Sequence, residues 1–240
     1  MKNYYLTISI DPGISGAASI LEGDKEPLIY RFPLKKAIIN KKNKNIYDMI
    51  KIRDIFKEYK DKNILFVIEK QNVRQGEGSV SAMTIGKNYG QLLGIAYAFE
   101  FKIVEVTPQQ WKKHFPELIN DYIREKKEEA KKLRDINKIR KKEINELKKI
   151  RKEIKGKEEK KQNKNNIDKI DKQIIENKKQ VDKINRQVKV EAKKNARELA
   201  AKLYPALKDK FIKINTDGLA ESLLIGIFGK ENYSELVQIQ

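Results

Sequence analysis

Ile64-Leu-Phe-Val-Ile68 is an unbroken apolar run, introduced by Asn63 and closed by Glu69. A strand with one wet face alternates apolar and polar residues. A run without alternation needs both faces covered, as in the centre of a sheet with parallel neighbours. The run therefore predicts an α/β fold. It also leaves Glu69 just beyond a buried strand, where a carboxylate adds nothing to packing, ahead of the polar segment Lys70 to Gly78.

The N-terminal stretch sets a second acid at a strand end. Leu6, Ile8 and Ile10 alternate with Thr7 and Ser9, and Ala18, Ile20 and Leu21 resume after Gly13 and Gly16, the pattern of a β-hairpin. Asp11 stands beside the Pro12-Gly13 turn, where by itself it would serve as a turn former. Leu28 to Phe32 predicts a third strand, Lys41 to Asn45 a loop, and Ile46 to Tyr59 a helix with Met49, Ile52, Ile55, Phe56 and Tyr59 on one side.

Ser79 to Phe99 predicts a helix carrying Gly86, Gly90 and Gly94 at four-residue spacing. Each interior glycine costs about 1 kcal/mol in helix propensity, so the three imply a close approach to the sheet, a partner subunit or a nucleic-acid backbone. Neither phosphate-loop pattern is present: Gly76-Glu77-Gly78 continues to Ser81, and Gly86-Lys87 lacks the preceding glycine and the following hydroxyl. Ile103 to Thr107 predicts another strand, and Pro108 opens a helix through Lys113. Trp111, the single tryptophan, is expected to anchor the core, and His114, the single histidine, is given no metal role.

From about Leu118 to Gln187 glycine appears once, at Gly156, and proline not at all, while Lys, Glu, Ile and Asn dominate. Ile167, Ile170, Ile174, Val181, Ile184 and Val188 keep three- and four-residue steps, with Asn177 at the missing position. This is a heptad seam with a polar residue able to set register. The preceding half, through Leu133, Ile136, Leu147, Ile150 and Ile154, follows the template with Arg140 and Glu143 in the seam. Lys155 to Asn166 reads as a polar turn, giving an antiparallel coiled-coil hairpin with arms of about 30 residues, roughly 45 Å long. The domains predicted are thus 1–117 with 190–240, and an insertion at 118–189. Most of the net charge of +19 on the 240 residues lies in that insertion, either as a solvated face or as an arm that grips DNA.

No apolar run approaches the roughly 18 residues of a membrane span, and there are no cysteines, so a cytoplasmic protein is expected. Val190 to Tyr204 predicts an amphipathic helix stopped by Pro205, and Phe211 to Asn215 a short link. The helix from Thr216 sets Asp217 and Glu221 four apart on one face. Acids at a helix start are favoured by the dipole alone. Together, however, Asp11, Glu69, Asp217 and Glu221 would form a site that only divalent cations could neutralise. Mg²⁺ takes oxygen ligands, and a pair of such ions is the arrangement that hydrolyses phosphodiesters. Lys70, Arg74, Lys87, Lys112 and Lys113 are the candidate DNA contacts around it.

At these residues the chain resembles the RuvC-type Holliday junction resolvases of the RNase H-like superfamily, particularly phage forms. The matching motifs are Ile8-Ser-Ile-Asp-Pro-Gly-Ile-Ser-Gly-Ala, Val67-Ile-Glu-Lys-Gln followed by Gly76-Glu-Gly-Ser-Val-Ser and Gly86 to Gly94, Thr107-Pro-Gln-Gln-Trp-Lys-Lys and Asp217-Gly-Leu-Ala-Glu-Ser-Leu-Leu-Ile-Gly. They occur in the family's order and cover residues 4–116 and about 190–229; the coiled-coil insertion lies outside. The resemblance implies a mixed five-stranded sheet flanked by helices, a homodimer, and paired symmetric incision of four-way DNA junctions with Mg²⁺ or Mn²⁺. It implies that Asp11 bridges two ions, Glu69 binds metal and Glu221 completes the site. Where the bacterial pattern has an acid or histidine three residues before the last carboxylate, this chain has Gly218, with Asp217 beside it. The family's aromatic near the second acid is replaced by Asn72 and Val73. A broader flap nuclease, an ATP-handling protein of the actin-like fold and a catalytically silent DNA-binding module are the alternatives.

Overall fold

The structure is a computed structural model and describes residues 6–39, 41–72, 78–213 and 215–232. The chain divides into two compact units, Met1–Leu118 with Lys194–Gln240, and Ile119–Lys193.

In the first unit β1 (Leu6–Asp11) and β2 (Ala17–Glu22) form the antiparallel hairpin, and β3 (Leu28–Arg31) pairs with β2. A separate hairpin of β4 (Leu34–Ile39) and β5 (Lys42–Tyr47) follows, then α1 (Met49–Lys57), β6 (Ile64–Glu69), α2 (Ser79–Ala98), β7 (Lys102–Val106) and α3 (Pro108–His114). The sheet order is β3-β2-β1-β6-β7. β6 runs parallel to both β1 and β7, the position that its unbroken apolar run demanded, and residues Ile64 to Ile68 are all buried. The mixed five-stranded sheet flanked by helices is consistent with an RNase H-like fold.

Two cores cover the sheet's faces. Leu6, Ile8, Ile10, Phe66 and Ile68 pack with Ile52 and Phe56 of α1 and Leu92 and Ala96 of α2. Leu21 packs with Ala200, Leu207 and Phe211 and with Ala220 and Leu223 of α7 (Asp217–Glu231). Each such large side chain contributes roughly 1.5–3 kcal/mol on burial.

The polar half of the β1 alternation is buried as well. Ser9 Oγ donates to the Ser222 carbonyl at 2.7 Å, and Ser19 Oγ shares a 2.7 Å hydrogen bond with Ser222 Oγ. These bonds satisfy hydroxyls that would otherwise cost free energy beneath α7. Gly226 and Gly229 let that helix lie flat: a Cβ at the first would collide with Ser9 and Leu21, and at the second with Val67. Among the glycines of the described helices that face the sheet, the close approaches are therefore in α7. At Gly86, Gly90 and Gly94 of α2 an added Cβ would meet nothing within 4 Å, so their spacing does not serve packing on the sheet.

The loop expected at Lys41 to Asn45 is instead part of the β4–β5 hairpin, with Lys41 in the left-handed region at φ 60°. Its sequence carries no apolar alternation because Asn43, Lys44 and Asn45 are exposed, and only Tyr47 at its end enters the core. Helix α1 starts after its cap Asp48, whose side chain accepts from the Lys51 amide.

In the second unit α4 (Asp121–Glu153) and the first part of α5 (Lys157–Leu203) pack antiparallel. Asn137 Nδ2 donates to the Ile174 carbonyl at 3.4 Å, and Asn177 Nδ2 to Asn137 Oδ1 at 3.0 Å. Ala130 packs with Val181 and Ile184, and Ile144 with Ile167 and Ile174. The seam on α4 runs through Ala130, Leu133, Asn137, Ile144 and Leu147, while Ile136 and Ile150 are exposed. Following isoleucine through this half shifts the phase by one residue, because the buried position belongs to Asn137. Arg140 is half-buried and Glu143 exposed. The expected turn of Lys155 to Asn166 shrinks to residues 154–156, since the charged and amide residues from Lys157 onward tolerate a helix well. Nor is Val190 to Tyr204 a separate helix: α5 continues to Leu203, ahead of Pro205. The expected link at Phe211 to Asn215 opens inside α6 (Lys208–Phe211).

Candidate active site

Asp11 and Glu69 follow directly on Ile10 and Ile68, which are paired across parallel β1 and β6. The two carboxylates thus leave neighbouring strands at the same edge, where strands lie about 4.8 Å apart. The turn after Asp11 is tightly specified. Gly16 N donates to the Gly13 carbonyl at 2.7 Å, and a Cβ at Gly16 would collide with the backbone of Asp11 and Gly13. Tyr47, at the end of β5, donates its hydroxyl toward the carbonyls of Pro12 and Gly13 at 2.9 and 2.6 Å.

Helix α7 brings the third carboxylate. Gly218 lies so close to the turn that a Cβ there would collide with the Ser15 carbonyl and stand 3.1 Å from Asp11 Oδ2. Glu221 follows three residues later, about one turn along the helix. Gly218 thus admits α7 to the Asp11 turn, at the position where the resemblance led one to look for a ligand.

The electrostatics register this convergence. The Asp11 carboxyl is pushed from 3.8 up to about 8, first by burial, then by the negative charges of Glu221 and Glu69; the Gly13 amide and the Lys112 ammonium act in the opposite direction. Burial also raises the Glu69 carboxyl, opposed by its hydrogen bond from Trp111 and by Lys112. Trp111, fully buried, donates Nε1 to Glu69 Oε2 at 2.7 Å. Lys112 Nζ lies 3.4 Å from Glu221 Oε1 and 4.7 Å from the Trp111 ring centroid.

Helix α3, which carries both residues, is fixed by a capping box. Thr107 N donates to Gln110 Oε1 at 2.7 Å and Gln110 N to Thr107 Oγ1 at 3.3 Å. The Thr-x-x-Gln spacing in the sequence signals that start. No sequence signal marked the indole's bond to Glu69 or the turn of Lys112 toward the acids.

Asp217 is engaged elsewhere: Arg197 Nη1 donates to its Oδ1 at 3.0 Å, both side chains being mostly buried. Of the basic candidates, Lys70 stands 3.9 Å from Glu105, Lys87 and Lys113 are exposed, and Lys112 faces Glu221. Arg74 lies outside the described residues, as do Val73, Gly76 and Glu77. His114 pairs with Glu231 at 2.7 Å.

The donor set of Asp11, Glu69 and Glu221 is all oxygen and anionic, chemistry that suits a hard divalent cation, and at Asp11 burial and the charges of Glu221 and Glu69 outweigh the opposing Lys112. Among the described residues no three His, Cys, Asp or Glu side chains already stand in a group able to hold an ion. Trp111 engages one oxygen of Glu69, whereas Glu221 is turned onto Lys112, so closure on an ion requires the Lys112–Glu221 pair to open.

No protein-family model and no curated protein matches the chain. Among solved structures it is similar to Thermus thermophilus RuvC in complex with a Holliday junction substrate, at 13% identity and a TM-score of 0.29, over 46% of this chain and 70% of that one. A second Thermus thermophilus RuvC structure matches at 15% identity and a TM-score of 0.29, over 45% and 67%. Among the described residues no helix is long and apolar enough to cross a membrane.

Proposed function

We propose that this chain is a metal-dependent endonuclease acting on branched DNA, with four-way junctions as its principal substrate and paired symmetric nicks as its product. The observation that carries the reading is the convergence of Asp11, Glu69 and Glu221, from two parallel strand ends and one helix, at a place where burial first, and then the charges of Glu221 and Glu69, push the Asp11 carboxyl up to about 8. Such a cluster is costly unless it has a cationic ligand, and clustered carboxylates holding Mg²⁺ are the chemistry of phosphodiester hydrolysis.

Asp11, Glu69 and Glu221 would hold the metal, with Asp217 as a fourth candidate ligand at the start of the same helix as Glu221. Bound there as a pair, Mg²⁺ ions would supply an activated water and stabilise the leaving oxygen. Trp111 orients Glu69. Lys112 balances charge at Glu221 while the acids are otherwise unneutralised. Lys70, Arg74, Lys87 and Lys113 would meet DNA phosphates, and the helical insertion, residues 118–189, would extend that contact. The open glycine face of α2 would pair two copies into a homodimer, so that two sites cut opposed strands.

The test is incubation of the protein with a synthetic four-way junction, a flap and a linear duplex, each with Mg²⁺, Mn²⁺ or EDTA, with both strands resolved on a denaturing gel. Metal-dependent, symmetric nicks confined to the junction are expected. Preferential cutting of the flap would replace the junction as substrate, and absence of cutting in either metal would remove the catalytic reading.

A further inference from the structure

The first unit contains an open pocket of about 700 Å³ away from the carboxylates, where α5 ends and α6 begins. Its apolar lining includes Pro205, Phe211 and Ile212; Phe211 is fully buried, whereas Ile212 is 58% exposed. Four cations and one carboxylate complete it: Lys194, Arg197, Lys202 and Lys208 against Glu198, which lies 3.9 Å from Lys194. Lys202 and Lys208 make no ion pair with any described residue. Unpaired ammonium groups beside an exposed apolar wall match a ligand with an anionic edge and an apolar face.

We infer that this pocket binds one nucleotide of a nucleic-acid strand, with a backbone phosphate at Lys202 and Lys208 and the sugar or base against Ile212 and Pro205. Its volume falls within the range of small-ligand sites and accommodates a nucleotide. The occupant is a strand because the lining carries four separate cations, Lys194, Arg197, Lys202 and Lys208, which suits successive phosphates.

The pocket connects to the carboxylates through one side chain. Arg197 lines it and also donates to Asp217, the first residue of the helix that carries Glu221. A phosphate drawn to Arg197 competes with Asp217 for the same guanidinium, so strand binding weakens the hold of Arg197 on Asp217. This coupling rests on the proposed nuclease site; the pocket's affinity for a strand does not.

The test measures binding in EDTA, where cleavage plays no part. Fluorescence anisotropy of a labelled four-way junction and a labelled single strand is followed over a salt series for wild type, for Lys202→Glu/Lys208→Glu, and for the charge-matched control Lys57→Glu/Lys60→Glu on and just beyond α1. Circular dichroism melts establish that all three are folded. The pocket variant is expected to bind about tenfold more weakly, with the log–log salt slope reduced by about 2, while the control changes less than about twofold. Equal weakening in both variants, or none in the pocket variant, would overturn the inference. Millimolar thymidine monophosphate or inorganic phosphate is expected to leave strand binding unchanged; displacement by either would make a free phosphate compound the ligand instead. A pocket effect in a wild type that never cuts DNA would leave the pocket standing without the nuclease, and cutting with no pocket effect the reverse.

Discussion

Trp111 Nε1 donates to Glu69 Oε2 at 2.7 Å from an indole that is wholly buried. The only tryptophan of the chain is thus both a core anchor and the group that orients a carboxylate of the candidate site. Trp111→Phe keeps most of the apolar contact but removes the donor. We expect it to cost roughly 2–4 kcal/mol of stability through the lost bond and volume. It should also weaken metal affinity about 10–100-fold, as loss of a ligand-orienting partner does. Calorimetric titration with Mn²⁺ reads the second effect apart from the first; unchanged affinity would make the indole structural only.

Asp11 gives the protein a pH dependence of predictable sign. Its carboxyl titrates near 8 when folded and near 3.8 when unfolded, so the folded state holds the proton more tightly. The associated stability is fully present below about pH 3.8 and is lost as pH rises toward 8. In EDTA the contribution should fall by on the order of a few kcal/mol across that window. Asp11→Asn should flatten this part of the curve and leave the variant more stable than wild type at pH 8. Mn²⁺ should raise the wild-type melting temperature most at the alkaline end, because protons and metal compete for one carboxylate. Thermal melts from pH 4 to 9, with and without Mn²⁺, check both statements.

Lys112 acts on all three acids: it lowers the Asp11 and Glu69 pKa values and stands 3.4 Å from Glu221. An ion entering the site meets an ammonium already there. Lys112→Met should therefore lower metal-free stability at pH 8 and raise Mn²⁺ affinity severalfold in calorimetry. Weaker Mn²⁺ binding would mean that the lysine helps to seat the ion.

The two sets of glycines should behave oppositely. Gly226→Ala and Gly229→Ala put a Cβ into Ser9 and Val67, so each should destabilise by about 1–3 kcal/mol and displace the helix that carries Glu221. Gly90→Ala meets open space on the exposed face of α2 and should stabilise the monomer by up to about 1 kcal/mol. If α2 is a homodimer contact, Gly90→Leu should shift the sedimentation profile toward monomer. Denaturant melts of the alanine variants decide the packing claim, and a stable Gly226→Ala would contradict it.

What the sequence disclosed follows from where the physics is local. The run Ile64 to Ile68 announced a strand covered on both faces, and the turn at Pro12-Gly13 announced the hairpin, because each depends on a few adjacent residues. Strand β5 left no trace, since Asn43, Lys44 and Asn45 are exposed and give no apolar alternation. The α4 seam misled because isoleucine at 136 and 150 is more apolar than Asn137, yet Asn137 finds partners in Ile174 and Asn177 that only the other helix supplies. Asp11, Glu69 and Glu221 were readable as acids at strand ends and a helix start. The hold of Arg197 on Asp217, and of Trp111 on Glu69, depended on contacts between residues 20 and 42 positions apart.

The most direct measurement sets wild type beside Asp11→Asn, Glu69→Gln and Glu221→Gln on one labelled four-way junction in Mg²⁺, scoring strand cleavage on a denaturing gel and binding on a native gel in EDTA. The account predicts that wild type nicks the junction and that each variant loses at least about 100-fold in cleavage while binding as wild type does. Cleavage by any one variant at close to the wild-type rate would contradict a metal centre built from these three carboxylates, as would parallel loss of cleavage and binding.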